Sequence, residues 1–325
     1  MKAYVLRSYG SAELREIDTP SPADNEVLVR VRATSVNPYD WHFMKGEPYI
    51  ARLMPSGLGL RRPKMPILGC DMAGQVEAVG KAVTRWQPGD DVFALREQGG
   101  FAEYVTVPED LLVSKPKNLS YEQAAAVPMA AVSALLGLRD VGKIQPGQKV
   151  LVNGAAGGVG TFAVQIARAL DAIVIGVCSG RNTDLVRSIG AHDAIDYGKE
   201  DFTRTDQRYD LLLDIAGSRS VRACRRAMTP KGTFVSIGGK AGRWLQPVGH
   251  LLSTMATAPM VSQRVGAIDA VKAMRTTQHL TMVSTLIEDG KVTPVIDRCY
   301  PFEEIQSAVA YQEQGHTQGK VVVTV

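Results

Sequence analysis

Residues 149–160 (KVLVNGAAGGVG) constrain this chain more than any other stretch. Lys149–Asn153 is a short apolar run rich in valine, which predicts a strand. A glycine and alanine cluster follows, and residues 159–170 carry the apolar spacing of a helix. Strand, glycine turn and helix in that order open a parallel β-α-β unit. The G-x-G-x-x-G pattern of dinucleotide-binding turns stands here as Ala155, Gly157 and Gly160, with alanine in the first glycine position. Gly157 removes the side chain where backbone must approach a pyrophosphate. Gly160 lets the helix pack close to the strand. The helix N-terminus then offers free N–H groups and a partial positive charge to phosphate.

The following chain keeps alternating. Ile173–Cys178 and residues 194–197, 209–215 and 232–237 read as strands, while Thr183–Ser188 and residues 220–228 read as helices. Residues 211–213 are leucine throughout, the run of a strand covered on both faces. Alternation of this kind predicts right-handed crossovers and a doubly wound parallel sheet. The N-terminal third has another texture. Residues 2–6, 27–33, 75–79 and 104–107 are short β runs separated by proline and glycine turns, which predicts a compact β barrel or sandwich. Residues 37–66 contain five prolines and read as one long loop. Ser120 and Gln123 form a capping box where the texture changes. After residue 291 the β texture returns, with a helix over 302–313 and a last strand over 320–325. That strand is expected to pair with the first domain. The fold class is therefore α/β: a β domain over 1–120, completed by 291–325, around a parallel-sheet domain over 121–290.

Composition excludes several classes. At 45% hydrophobic and 22% charged residues the chain is globular, neither disordered nor fibrous. A net charge of +4 from 37 basic and 33 acidic residues is too weak to argue for nucleic acid. Cys70, Cys178, Cys224 and Cys299 are far apart, so neither a disulfide framework nor a clustered zinc site is written. No run of 18 uncharged apolar residues exists, so no membrane insertion is expected. Charges throughout residues 1–16 argue against a secretory signal, and the expected location is cytoplasmic.

The second strand decides the kind of dinucleotide. An NAD site usually carries an acid about 20 residues past the glycines, bonding the ribose 2′-hydroxyl. Here the strand ends in Cys178, Ser179, Gly180, Arg181 and Asn182, with no carboxylate. Ser179 can donate to a 2′-phosphate and Arg181 can pair with it, so the expected cofactor is NADP(H).

Four further motifs stand in order. GxDxxGxVxxVG occupies residues 69–80, PGDxV residues 88–92, GFAEY residues 100–104 and GKVVV residues 319–323. With the glycine turn they resemble the medium-chain dehydrogenase/reductase superfamily, and within it the zinc-independent quinone oxidoreductase branch that includes zeta-crystallin. The resemblance implies a GroES-like domain and a Rossmann domain, with cofactor in the cleft between them. It implies a phosphate cradle with Ala155 in the first glycine position and contacts from Gly157, Gly158 and Val159, and 2′-phosphate contacts at Ser179 and Arg181. It places Tyr197 near the adenosine, Ala216, Gly217, Ile237, Gly238 and Gly239 at the carboxyl edge of the sheet, and His316 toward the nicotinamide.

The alcohol dehydrogenase branch holds catalytic zinc with Cys, His and Cys beside a Glu. The equivalent positions here are Asn37, Cys70, roughly Ala130, and Asp71, too few ligands for a metal. The implied activity is hydride transfer from NADPH to a quinone or another conjugated carbonyl. Asn37 is then expected to face the nicotinamide or the substrate oxygen. Tyr39, with an ordinary pKa near 10, is expected to donate to the developing oxyanion. Asp40 is expected to cap backbone N–H groups. A homodimer is implied. Two other readings stay open: a zinc-type alcohol or aldehyde dehydrogenase, and a non-catalytic, crystallin-like NADPH-binding protein.

Overall fold

Edge-to-edge strand pairing divides the chain into a mainly antiparallel sheet and a wholly parallel one. The computed structural model describes residues 1–53, 58–61, 63–64, 66–239, 242–244 and 262–325. The chain forms two compact units, Met1–Val132 with Ala270–Glu288 and Pro294–Val325, and Ser133–Asp269 with Asp289–Thr293.

In the first unit, β1 (Lys2–Ser8) and β2 (Ser11–Glu16) pair as a hairpin. The main sheet uses β3 (Glu26–Val36), β4 (Asp71–Val79), β5 (Asp91–Leu95), β6 (Tyr104–Pro108) and β7 (Val113–Ser114). β3 puts Val27, Val29, Val31 and Ala33 in the core and Arg30 outward, while Leu28 and the last residues, Thr34 to Val36, are buried as well. Helix α1 (Pro38–Lys45) follows β3 directly, and a 3-10 turn covers Tyr49–Leu53. The expected loop over 37–66 therefore contains real helix. Pro38 occupies the first helical position, where its missing N–H has no partner to lose, and Gly46 ends the helix at φ 63°. Prolines in this stretch start structure as well as interrupt it.

Helix α2 (Tyr121–Ala125) is capped by Ser120, whose Oγ accepts from Gln123 N at 3.2 Å while Gln123 Oε1 accepts from Ser120 N at 3.0 Å. Helix α3 (Pro128–Leu135) comes next and runs on into a π-helical turn over Leu136–Val141. The second unit contains β8 (Lys149–Asn153), α4 (Gly158–Ala169), β9 (Ile173–Cys178), α5 (Thr183–Ser188) and β10 (Asp193–Asp196). It continues with β11 (Tyr209–Asp214), α6 (Val221–Arg226), β12 (Met228–Ser236) and β13 (Arg264–Ala267). These strands form a six-stranded parallel sheet in the order β10-β9-β8-β11-β12-β13. Its core holds Leu151, Val177, Leu212 and Phe234.

Helices α7 (Ala270–Ala273) and α8 (Gln278–Glu288) group with the first unit, as do β14 (Ile296–Pro301), α9 (Ile305–Glu313) and β15 (Lys320–Thr324). The division at 132/133 differs from the expected 120/121 because α2 packs on β3 and β4, and Met129 N donates to Asp71 Oδ1 at 2.7 Å. Residues 270–288 join the same unit, where Asn118 Nδ2 donates to Ile287 O at 2.9 Å. The last strand, β15, lies between β14 and β3 and pairs with β3 antiparallel. Among the described residues, no helix is long and apolar enough to cross a membrane.

Candidate functional site

The parallel sheet delivers β8, β9, β11 and β12 with their carboxyl ends on one edge. Gly154 leaves β8 at φ 95°, a conformation L side chains rarely adopt, and turns the chain toward α4. Gly157 is the N-cap of α4, and Gly158 and Val159 are its first residues. A Cβ on Gly160 would stand 2.0 Å from Gly154 O, so helix–strand packing requires that glycine. A Cβ on Gly157 would meet only Gly154 O, at 3.6 Å, an ordinary contact. Internal packing therefore does not demand a glycine at 157. The N–H groups of the first turn lack intrahelical partners and face the same cradle.

Asn153 fastens this edge in a way the sequence did not announce. Its Nδ2 donates to Asp214 Oδ1 at 2.7 Å and to Ser218 Oγ at 3.1 Å. Asp214 Oδ1 also accepts from Gly217 N at 3.0 Å, which holds the turn of Ala216 and Gly217, the latter at φ 57°. Ile237 N donates to Asp214 O at 2.9 Å, and a Cβ on Gly238 would stand 2.6 Å from Ile215 O. Thus Ala216, Gly217, Ile237, Gly238 and Gly239 follow adjacent strand ends. Ser179 follows β9 half-buried, and Arg181 is exposed on the next 3-10 turn. Tyr197 is 56% exposed at the end of β10. The loop after β9 has no carboxylate of its own, but β10 supplies one. A Cβ on Gly180 would lie 2.5 Å from Asp196 Oδ2. Counting along the chain misses Asp196 because it arrives from the neighbouring strand.

The first unit gathers the other candidates into a buried polar cluster. Pairing of β3 with β4 sets Ser35 opposite Asp71, and pairing of β15 with β3 sets Val321 opposite Val36. The next step of that register brings Lys320 to Asn37. Lys320 Nζ donates to Asn37 Oδ1 at 2.6 Å and to Asp71 Oδ2 at 3.2 Å. Asn37 Nδ2 donates to Asp71 Oδ2 at 2.9 Å, and Ser35 Oγ donates to the same oxygen at 2.5 Å. Both ends of the Asn37 amide are therefore occupied inside the protein, and Asn37 is only 3% exposed. The sequence leads one to expect this amide to face the nicotinamide or the substrate oxygen; in the fold it bonds Lys320 and Asp71.

Asp40 caps as expected. Its Oδ2 accepts from Asn37 N at 2.8 Å and its Oδ1 from Gly69 N at 3.1 Å. Burial, reinforced by the Asp71 charge, pushes the Asp40 carboxyl up to about 7. Burial also pushes the Cys70 thiol well above its ordinary range. Tyr39 lies one residue away, partly buried, with its ring stacked on Phe43 at 4.2 Å. Burial raises its phenol, so Tyr39 keeps its proton at neutral pH. His316 is exposed on the connection between α9 and β15.

Two family models match the chain in order. Residues 23–117 match the alcohol dehydrogenase GroES-like domain, and residues 189–323 match the zinc-binding dehydrogenase domain. The chloroplast envelope quinone oxidoreductase homolog of Arabidopsis thaliana is 31% identical, over 99% of this chain and 98% of its own. The NADPH-dependent alkenal/one oxidoreductase, chloroplastic, of the same plant is 32% identical over 99% of this chain and 79% of its own. Among solved structures, the quinone oxidoreductase from Coxiella burnetii is 26% identical with a TM-score of 0.84, covering 100% of this chain and 99% of its own.

The zinc-binding dehydrogenase match raises zinc, and the residues present do not fit it. An ammonium stands among Asn37 and Asp71, two of the positions equivalent to the metal's surroundings, and the Asn37 oxygen is already taken. Among the described residues, no group of three or more His, Cys, Asp or Glu is placed to hold a metal ion. With both domains matched in order and a relative 31% identical along nearly its whole length, this chain belongs to the medium-chain dehydrogenase/reductase superfamily, in its quinone oxidoreductase branch.

Proposed function

We propose that the protein is an NADPH-dependent reductase of quinones or other conjugated carbonyls, working without a metal. The observation that carries this reading is the Lys320 ammonium, 2.6 Å from Asn37 Oδ1, where the alcohol dehydrogenase branch draws its metal ligands together. Deprotonating an unactivated alcohol without a Lewis acid is hard, which disfavours the alcohol dehydrogenase reading. Reducing an electron-poor acceptor needs less assistance.

The cofactor, when bound, supplies a hydride. Gly157, Gly158 and Val159 would hold its pyrophosphate at the N-terminus of α4, beside Ala155, and Ser179 and Arg181 would hold the 2′-phosphate. Tyr197 would lie near the adenosine. Ala216, Gly217, Ile237, Gly238 and Gly239 would form the wall at the strand ends, and His316 keeps the role the resemblance gives it, toward the nicotinamide. Tyr39 donates a hydrogen bond to the carbonyl oxygen of the acceptor. The protonated phenol of Tyr39 would stabilise the negative charge that an enolate or phenolate oxygen carries after reduction of the acceptor. The raised phenol makes Tyr39 a donor and not a base at neutral pH.

The same reading gives a homodimer, with β13 as the last strand of the parallel sheet among the described residues and hence its free edge. It also gives a cytoplasmic enzyme, although both plant relatives named above are described as chloroplast proteins. The deciding experiment follows NADPH and NADH oxidation with quinones, enones and aldehydes, using protein dialysed against EDTA. Turnover of quinones or enones with NADPH, unchanged by the chelator, is expected. Failure with every such acceptor sinks the proposal, and so does an activity that returns only on adding zinc.

A further inference from the structure

The chemistry above uses Tyr39 and leaves the charged cluster of the same unit without a task. Lys320, Asp71 and Asp40 are 3%, 0% and 0% exposed. An ammonium so deeply buried is kept only where its partners are complete. Lys320 has three N–H donors, and three oxygens lie around them: Asn37 Oδ1 at 2.6 Å, Asp71 Oδ2 at 3.2 Å and Val36 O at 3.5 Å. No donor is left over for a substrate. The ammonium's shortest contact is to Asn37.

Asn37 is the N-cap of α1, and Tyr39 is the second residue of that helix. The cap is gripped from both sides. Its amide closes a ring with Lys320 and Asp71, and its backbone N donates to Asp40, which in turn is tied to Gly69 N. We infer that Lys320 is a positioning residue: its buried ammonium balances Asp71 and fixes Asn37, which sets the start of α1 and so the aim of Tyr39. Asn37 is then a positioning residue as well. This inference rests on the role proposed for Tyr39, and it assigns to a lysine of the last strand a part in the same site.

The test uses the full chain carrying W86F and W244F, so that Trp41 in α1 is the sole tryptophan reporter. In K320M, Asp71 stays buried without its cation. The melting temperature is expected to fall, and kcat with a quinone to fall about tenfold to a hundredfold, the scale of a misaimed catalytic group. NADPH affinity, read by fluorescence titration, stays within about twofold because the cradle residues are untouched. K320M/D71N removes the charge pair together. It is expected to regain most of the melting temperature while kcat stays low. Trp41 emission shifts red in both variants. N37A keeps the ion pair and is expected to lower kcat and shift Trp41 in the same way, which serves if the lysine variants fail to fold.

The inference is overturned if kcat returns along with the melting temperature in K320M/D71N. It is equally overturned if K320M, or N37A, leaves both kcat and Trp41 emission at the parent values. If the parent reduces no acceptor, the proposed function fails, and Trp41 emission still decides the positioning role.

Discussion

A glycine can be required by the packing of its own chain or by something that must come close to it, and α4 begins with one of each. At Gly160 an added methyl would sit 2.0 Å from a backbone oxygen. G160A is therefore expected to cost at least ~2 kcal/mol of stability, since backbone cannot step aside as a side chain can. Gly157 has an extended φ of −82°, which alanine adopts freely, and only a 3.6 Å neighbour. G157A is expected to leave stability within ~0.5 kcal/mol while weakening NADPH binding about tenfold. Denaturant unfolding beside a cofactor titration separates the two; equal losses of stability would refute the assignment. Asp40 gives a second test at this scale. Its carboxyl is raised to about 7 in the fold, above the roughly 3.9 of an unfolded chain. Between those values the unfolded chain has released a proton that the native state retains, so stability falls as pH rises from about 4 to about 7. D40N removes that slope, although it also weakens a cap to Asn37 N and Gly69 N. Urea midpoints at pH 5 and pH 8 are expected to differ less for D40N than for the parent; an identical difference would count against the buried carboxyl as the cause. The glycines were legible in the sequence because strand, turn and helix are consecutive. Lys320 was not, because its partners lie 283 and 249 positions away and meet it only through strand register.

Elements, more than single residues, decide which dinucleotide suits the cradle. The end of β9 presents Ser179 and Arg181, and the end of β10 sets the Asp196 carboxylate beside Gly180. Serine and arginine favour a 2′-phosphate, and the carboxylate opposes it at short range. R181A is expected to lower the ratio of kcat/KM for NADPH over NADH about tenfold, and D196N to raise that ratio severalfold. Opposite signs are the point of the comparison. If D196N leaves the ratio unchanged, Asp196 serves only its own turn, where its Oδ1 accepts from Gly198 N at 3.0 Å. Helix α1 shows the complementary lesson. Proline-rich sequence over 37–66 read as a loop, yet Pro38 at the first helical position and Gly46 at the end define a full helix. Proline reports where backbone donors are dispensable, and a helix start is one such place. The parallel strands were plainer, because a sheet covered on both faces needs runs such as Leu211 to Leu213, all fully buried.

At the scale of the whole molecule, the chain builds its first unit from both ends. The motif at residues 319–323 predicted a strand returning to the N-terminal domain, and β15 does so by lying between β14 and β3. It is thus an interior strand of a seven-stranded sheet, although it is last in sequence. Val321, Val322 and Val323 are 1%, 0% and 0% exposed. Fully burying a valine contributes ~1.5–3 kcal/mol, so these side chains alone amount to several kcal/mol. A typical domain is stable by only ~5–15 kcal/mol in total. Deleting residues 320–325 also removes the pairing of β3 on that side and the cation that balances Asp71. Such a truncated chain is expected to lose cooperative unfolding of the antiparallel unit, measured by near-ultraviolet circular dichroism and calorimetry, together with all quinone reduction. Adding back a peptide of residues 318–325 would restore part of both signals if strand insertion is what the unit lacks. A truncated chain that still melts cooperatively at the parent temperature would mean that the sheet closes without β15, and that the discontinuous organisation is not what holds Asn37 and Tyr39 in place.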